Sequence, residues 1–191
     1  EQARALGMEA VSVSREMDDK WTVARNFVWL GIVTAYKGDD YEEAAGFLEE
    51  GFALILEVGD WEWVAYSLDS FAVLAGAKAQ GERAARLWGA AEALRKSIGA
   101  PLHGTDRPDY DRSVAAVRSQ LDDAAWEAAF AEGRAMSAEE AAEYALSKEV
   151  AHAAERPLAG GGTRKPSPAG SGRSRLWWHK GSPPARSLKS W

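Results

Sequence analysis

Residues 61–98 read WEWVAYSLDSFAVLAGAKAQGERAARLWGAAEALRKSI, and the fold class follows from this stretch. Residues 21–58, WTVARNFVWLGIVTAYKGDDYEEAAGFLEEGFALILEV, follow a similar pattern 40 residues earlier. The matching positions are Trp21 with Trp61, Ala44-Ala45 with Ala84-Ala85, Leu48 with Trp88, and Glu43 with Arg83. A period of this length is typical of helical repeat proteins, so the two stretches predict two copies of one helical hairpin.

Each copy predicts two helices joined by a tight turn. Between Trp21 and Tyr36 the apolar residues recur every three or four positions, which is the spacing of one helix face. The predicted helices of this region cover residues 3–17, 21–37, 41–58, 61–79 and 82–98, with turns at Gly38-Asp39-Asp40, Gly59-Asp60 and Gln80-Gly81. We interpret the first of them as the second helix of an earlier, truncated repeat, and Glu1 in place of Met indicates a piece of a longer protein.

The predicted architecture is all-α, a tetratricopeptide-like α-solenoid. One hairpin cannot bury its apolar face alone, so stacked neighbours must cover it. Small residues such as Ala45 and Gly46 would let paired helices approach closely. The alternative is an irregular helical bundle.

A second helical block follows a loop at residues 99–108. It predicts helices over residues 110–121, over 124–134 after an Asp122 cap, and from Ser137 to about Ala154, where Ser137 and Glu140 fit a capping box. These helices are shorter and leave the 40-residue period. We therefore divide the chain into repeats (1–99), C-terminal capping helices (100–155) and a disordered tail (156–191).

Composition separates the tail from the body. The 191 residues carry a net charge of −6 and no cysteine, which excludes disulfides, thiolate metal sites and a cysteine nucleophile. Residues 1–155 hold all 29 acidic residues and 15 of the 23 Lys and Arg, whereas residues 156–191 hold the other eight basic residues and no acid. The body is too acidic for a nucleic-acid surface. No apolar run is long enough to span a membrane, so we expect a cytoplasmic protein.

Catalytic and metal-binding motifs are missing from the sequence. There is no phosphate-binding GxxxxGK[ST] loop, GxSxG elbow or HExxH helix, and Gly160-Gly161-Gly162 fits a linker. His103, His152 and His179 are scattered, and the pairs Asp18-Asp19 and Asp39-Asp40 fit turns and caps better than a cation site. We expect four of the six body tryptophans in the core rather than on a ligand (Trp21, Trp29, Trp61, Trp63, Trp88, Trp126). No catalytic, cofactor-binding or metal residues are assigned, and the partner-binding residues stay unidentified.

Two segments carry a resemblance to a known family. LWGAAEALR at residues 87–95 and WEAAFAEGRAMS at residues 126–137 resemble the tetratricopeptide-like region of large LuxR-type ATPase transcriptional regulators (MalT-like). The similarity covers roughly residues 1–150. It implies a sensing scaffold between an upstream nucleotide-binding or kinase-like domain and a C-terminal helix-turn-helix. Neither flanking domain is readable in this chain.

The tail is compatible with a helix-turn-helix encoded out of frame. When the third base of each codon is joined to the first two of the next, the codons of residues 166–191 permit LTxREREVxxLVAQGLTxREIAEEL. Trp177-Trp178-His179 force Val-Ala in that register. Our hypothesis is a lost base near residues 157–165. As written, the tail's Arg173, Arg175, Lys180, Arg186 and Lys189 would make only nonspecific phosphate contacts.

The sequence thus predicts a non-catalytic sensing or interaction scaffold of a LuxR-type regulator. A protein or small-molecule effector in the solenoid groove would change how the domains pack, and DNA would be bound only through a restored helix-turn-helix. No membrane partner or cofactor is expected, and homo-oligomerisation is left open. The alternative is a free-standing tetratricopeptide-like adaptor that binds a peptide or helix in its concave groove.

Overall fold

The chain is all-α over residues 2–38 and 40–147, the part that the computed structural model describes. This part contains eight helices: α1 Gln2–Glu16, α2 Lys20–Lys37, α3 Tyr41–Val58, α4 Trp61–Ala77, α5 Gly81–Ile98, α6 Arg107–Arg118, α7 Asp123–Ala135 and α8 Ala138–Leu146. None of these helices is long and apolar enough to cross a membrane. The tail, residues 156–191, lies outside the described residues, so its predicted disorder and register shift stay predictions.

The helix boundaries follow from aspartate caps, as the sequence predicts. Before four of the eight helices, an aspartate accepts a hydrogen bond from the amide three residues later: Asp19 with Thr22, Asp40 with Glu43, Asp60 with Trp63, and Asp122 with Ala125. The predicted capping box also forms, because Ser137 and Glu140 bond each other's backbone amide. Asp19 and Asp40 are thus caps, and Asp39 lies outside the described residues.

Three helix boundaries differ from the prediction by at least three residues, and one of them is the end of α6, which lies at Arg118 rather than at residue 121. Helix α6 begins at Arg107 rather than at residue 110, because Pro108 fits the first helical turn, where its missing N–H is not needed. Helix α8 ends at Leu146 rather than near Ala154. Its end is held by Arg83 of α5, whose Nη2 donates to the carbonyls of Tyr144, Ala145 and Ser147 at 2.9–3.0 Å.

Helices α2 and α3 form a closely packed antiparallel hairpin. Gly51 of α3 faces Ala24 and Val28 of α2, and a Cβ there would stand 2.8 Å from the Ala24 carbonyl oxygen. Gly31 of α2 makes the reciprocal contact with α3. Gly46, which the sequence suggested for this role, faces open space. Small residues do bring the helices together, but at other positions.

Helices α2, α4 and α6 lie side by side and run in the same direction. Contacts between them join residues about 40 positions apart: Trp21 Nε1 donates to Asp60 Oδ2 at 2.9 Å, and His103, just before α6, lies 3.0 Å from Glu62. Further along, a Cβ on Gly76 would touch Val117. Helix α6 therefore takes the next place in the row, although the sequence predicted no further repeat there. This packing is consistent with the predicted solenoid.

Helix α7 packs antiparallel on α5, away from the row of α2, α4 and α6. A Cβ on Gly133 would overlap the Arg86 carbonyl oxygen, and one on Gly89 would overlap that of Phe130. Beside this crossing, Trp88 and Trp126 are buried with ring centroids 6.2 Å apart. The segments LWGAAEALR and WEAAFAEGRAMS are thus the two sides of one helix contact.

We expect Gly133→Ala to lower the free energy of unfolding by about 1–3 kcal/mol, because the added methyl group has to push α7 off α5. The matched control is Gly46→Ala in the middle of α3. It meets no neighbour and should raise stability by about 0.5–1 kcal/mol through helix propensity. Urea unfolding of both variants checks this. Equal effects would mean that α7 does not lie close to α5.

The turn between α4 and α5 places a residue with a side chain in the left-handed region. Ala79 has φ 59°, where the corresponding turn between α2 and α3 has Gly38 with φ 73°. This conformation strains an L-residue by about 1–2 kcal/mol. Ala79→Gly removes this strain, but glycine loses more backbone entropy on folding than alanine does. The net effect should be a free energy of unfolding that is higher by about 0.5–1 kcal/mol.

The reciprocal variant, Gly38→Ala, should lower stability by about 1 kcal/mol for the same reason. Thermal unfolding of the two variants measures both changes. A destabilised Ala79→Gly protein would show that the strain at this turn is absent.

Candidate functional site

One face of α2 exposes large aromatic side chains to solvent. Trp21, Trp29 and Tyr36 are 36%, 43% and 56% exposed, although indole and phenol rings usually pack in the interior. Arg25 and Ile32 lie between them at helical spacing and are half-buried. Together with the facing residues of α4 and α6 described below, we call this surface the aromatic face.

Helix α4 forms the floor of the aromatic face. Most of its residues are buried, and the strip that is left more open contains Glu62, Tyr66 and Val73. Asp69 lies on the same strip, with only 9% of its surface exposed. These four positions follow the spacing of one helix face.

Helices α2 and α6 meet above α4 at one end of this strip. The Tyr36 hydroxyl of α2 and the Ser113 hydroxyl of α6 are hydrogen-bonded at 3.1 Å. Because both helices also pack on α4, the floor lies below this contact. The aromatic face therefore has walls from α2 and α6.

Arg25 is held between two indole rings. Its guanidinium carbon lies 4.3 Å from the centre of the Trp21 ring and 4.5 Å from that of Trp63. The Nε atom is buried without a hydrogen-bond partner among residues 2–38 and 40–147, whereas both Nη atoms reach solvent. Stacking on two rings stabilises the cation and fixes the plane of the guanidinium group.

The two indole rings are themselves fixed. Trp21 and Trp63 meet edge to face at 6.3 Å, and Trp63 contacts Tyr66 at 4.8 Å. Asp60 accepts hydrogen bonds from Trp21 Nε1 and from the Trp63 backbone amide, so the α4 cap also orients the first ring. The result is a rigid row of three aromatic rings and one cation across α2 and α4.

A buried ion pair lies beneath the aromatic face. Asp69 of α4 is paired with Arg95 of α5, and both side chains are nearly inaccessible to solvent. Burial raises the pKa of Asp69 to about 6, an effect that the charge and hydrogen bond of Arg95 oppose. The carboxyl group is therefore poised to take up a proton under mildly acidic conditions.

Burial raises the pKa of two tyrosines, Tyr66 of α4 and Tyr110 of α6. Burial, with a smaller contribution from Asp69, raises the pKa of Tyr110 to about 12. Burial also raises the pKa of Tyr66, and the charges of Asp106 and Asp69 raise it further while Arg25 lowers it. The charges of Arg25 and Asp106 thus both act on the Tyr66 hydroxyl. This hydroxyl is neutral and can donate or accept a hydrogen bond.

The tryptophan prediction is confirmed only in part. Trp88 and Trp126 are buried, Trp61 and Trp63 are half-buried against the core, and Trp21 and Trp29 are exposed. His103 is exposed beside Glu62. Within residues 2–38 and 40–147 no group of three or more His, Asp and Glu residues is placed to hold a metal ion. His152, His179, Gly160-Gly161-Gly162 and the basic tail residues lie outside the described part.

Sequence reasoning missed Arg25, Tyr36, Tyr66 and Tyr110. The spacing of Trp21, Arg25 and Trp29 at every fourth residue places them on one helix face and is visible in the sequence. The contribution of α4 and α6 to the same surface was not visible, since it depends on how helices 40 residues apart align.

Two cavities adjoin the last described helix. One, of about 500 Å³, lies between α7 and α8, and another, of about 250 Å³, lies among α3, α4 and α8. Both are lined in part by Ser147, the last residue that the structure describes. Neither contains an unpaired cation like that of the aromatic face, so we do not assign them as sites.

Comparisons with known proteins give no match: no protein-family model, no curated protein and no solved structure is similar to this chain. The relation to LuxR-type regulators therefore stays a prediction from residues 87–95 and 126–137.

The raised pKa of Asp69 predicts a pH-dependent stability. The Asp69 carboxyl has a pKa of about 6 in the folded state and near 3.8 in the unfolded chain. Its contribution to the free energy of unfolding therefore falls as the pH rises from 4 to 6, because only the unfolded chain loses the proton readily in this range. A shift of about two units corresponds to about 3 kcal/mol. The Asp69→Asn variant, which mimics the protonated carboxyl group, should lack this loss.

The measurement is urea unfolding of both proteins between pH 4 and pH 7. The stability of the wild type minus that of Asp69→Asn should decrease by up to about 3 kcal/mol across this range. A difference that stays constant or increases with pH would show that Arg95 outweighs burial and keeps the carboxylate ionised.

Proposed function

We propose that residues 1–155 are the non-catalytic sensing scaffold of a LuxR-type bacterial transcriptional regulator that acts in the cytoplasm. A protein segment or a small molecule binds the aromatic face, and this binding changes how the regulator's domains pack and so how it binds DNA. The coupling is a population shift: the effector favours the arrangement that it binds more tightly.

The observation that carries the scaffold role is the exposed aromatic face itself. Trp21, Trp29 and Tyr36 occupy one side of α2, beside a floor that includes Tyr66. Contiguous exposed aromatic surface on a rigid helical scaffold marks a binding site for a protein or ligand. Its position between α2 and α6 favours an occupant that fits between these two walls.

The regulator assignment has separate support from the sequence. The segments at residues 87–95 and 126–137 resemble the family, and in the fold they face each other across the α5–α7 contact. The codons of residues 166–191 also permit a helix-turn-helix string in another register. In a restored protein the second helix of this motif would enter the major groove.

The alternative is a free-standing tetratricopeptide-like adaptor that binds a peptide or helix on its concave side. The aromatic face favours it equally, since that surface needs no DNA-binding domain to function. The two proposals differ in what the gene encodes downstream.

The deciding experiment is to sequence the DNA across codons 150–191 and beyond. We expect one missing base near codons 157–165 whose restoration opens the LTxREREV register. The restored protein should then enrich a defined motif from a pool of random DNA, because a helix-turn-helix reads base edges in the major groove.

The chain as written is the matched control and should enrich no motif. If the frame stands and the third bases encode no such string, the regulator proposal fails and the adaptor is the better assignment.

A further inference from the structure

We propose that Arg25 is a recognition site for a carboxylate group and that the ligand of the aromatic face carries one such group beside an apolar or aromatic part. This assignment rests on the proposed binding role of that face. It adds to it the chemical class of the ligand and the residue that selects it.

Arg25 forms no ion pair with a carboxylate in the part of the chain that the structure describes. Among residues 2–38 and 40–147 it forms no ion pair and no hydrogen bond, and its environment consists of the Trp21 and Trp63 rings. Most other arginines of this part pair with a carboxylate, for example Arg86 with Glu132 at 2.6 Å. A half-buried guanidinium group that is held by rings alone keeps its hydrogen-bonding capacity for a ligand.

The nearby carboxylates are already engaged. Asp19 accepts hydrogen bonds from the Thr22 hydroxyl and amide, which lower the pKa of Asp19, and so it caps α2. Asp60 accepts from Trp21 and from the Trp63 amide. Both carboxylates are engaged at helix starts. Asp19 and Arg25 act on each other through their charges, without a hydrogen bond or ion pair between them.

The two terminal nitrogen atoms of the Arg25 guanidinium group are available to a ligand. The Nε atom is buried, the two rings fix the plane, and the Nη1 and Nη2 atoms reach solvent. Two parallel N–H donors in a fixed plane match the two oxygens of a carboxylate. The exposed rings of Trp21 and Trp29 lie one helical turn to either side and offer surface to an apolar group.

The charges around Arg25 favour a single negative charge. Asp19 and Asp60 lie at the starts of the two helices, and Asp106 acts on Tyr66 from the opposite wall. A second negative charge on the ligand would be repelled by these carboxylates. We therefore expect a monocarboxylate to bind better than a phosphate monoester.

The test uses small probes and the full chain. 3-Phenylpropionate, the neutral 3-phenylpropanamide and phenyl phosphate are titrated at constant ionic strength, and the indole N–H signals of Trp21 and Trp63 are followed by NMR. The carboxylate should bind at least about tenfold more tightly than the amide, since charge-assisted hydrogen bonds are lost with the amide. It should also bind more tightly than the phosphate.

Variants separate recognition from a merely structural role of Arg25. Arg25→Gln should lose the preference for carboxylate over amide. Arg25→Lys should keep only part of that preference, because lysine lacks the two parallel N–H donors of the guanidinium group. Arg112→Gln, which removes an exposed arginine on α6, is the matched control and should bind like the wild type. Thermal unfolding reports whether each variant is folded.

Equal affinity for carboxylate and amide in the unmodified protein would overturn the assignment, even if Arg25→Gln fails to fold. So would an Arg25→Gln protein that folds and still prefers the carboxylate. In either case Arg25 only holds α2 against α4. The proposed scaffold is judged separately by the DNA experiment, so failure of the carboxylate assignment does not decide it.

Discussion

The rest of the structure depends on the burial of α4. This helix packs against α2, α3, α5, α6 and α8, and eleven of its seventeen residues are buried. A hairpin of two helices cannot cover such a surface, so neighbouring hairpins have to supply the remaining contacts. What they leave open is the narrow strip with Tyr66 and Val73. The candidate site is therefore a consequence of how the core is covered: the same neighbours, α2 and α6, become its walls.

The charged side chains of the helical part have different structural roles. Aspartates are used at helix starts, where they satisfy amides that have no partner within the helix. Asp69 is instead neutralised by Arg95 below the surface. Arg25 is instead held between α2 and α4 by the faces of two indole rings, which stabilise a cation without consuming its hydrogen bonds. That difference makes Arg25 a candidate recognition group, whereas the paired arginines have structural roles.

The sequence predicted the helices well because their signals are local. Caps such as Asp122 and the apolar spacing of each helix are set by neighbouring residues. The misses have long-range causes. The end of α8 depends on Arg83 from a helix more than 50 residues earlier. The choice of Gly51 over Gly46 as the contact glycine depends on the rotation of α3 against α2. The aromatic face combines three helices whose alignment no local pattern encodes.

Helix α5 connects the aromatic face to the far end of the described chain. Near its carboxyl end Arg95 holds Asp69 beneath the face, and near its amino end Arg83 holds the last carbonyls of α8. Between them, Gly89 lies against α7. Since helices are stiff along their axis, a ligand that alters the α4–α5 contact would act on both ends of α5 together. Coupling of this kind requires two arrangements of that contact with different affinity for the ligand. The proton that Asp69 binds near pH 6 alters the same contact from within, so acidification and ligand binding should act on one element.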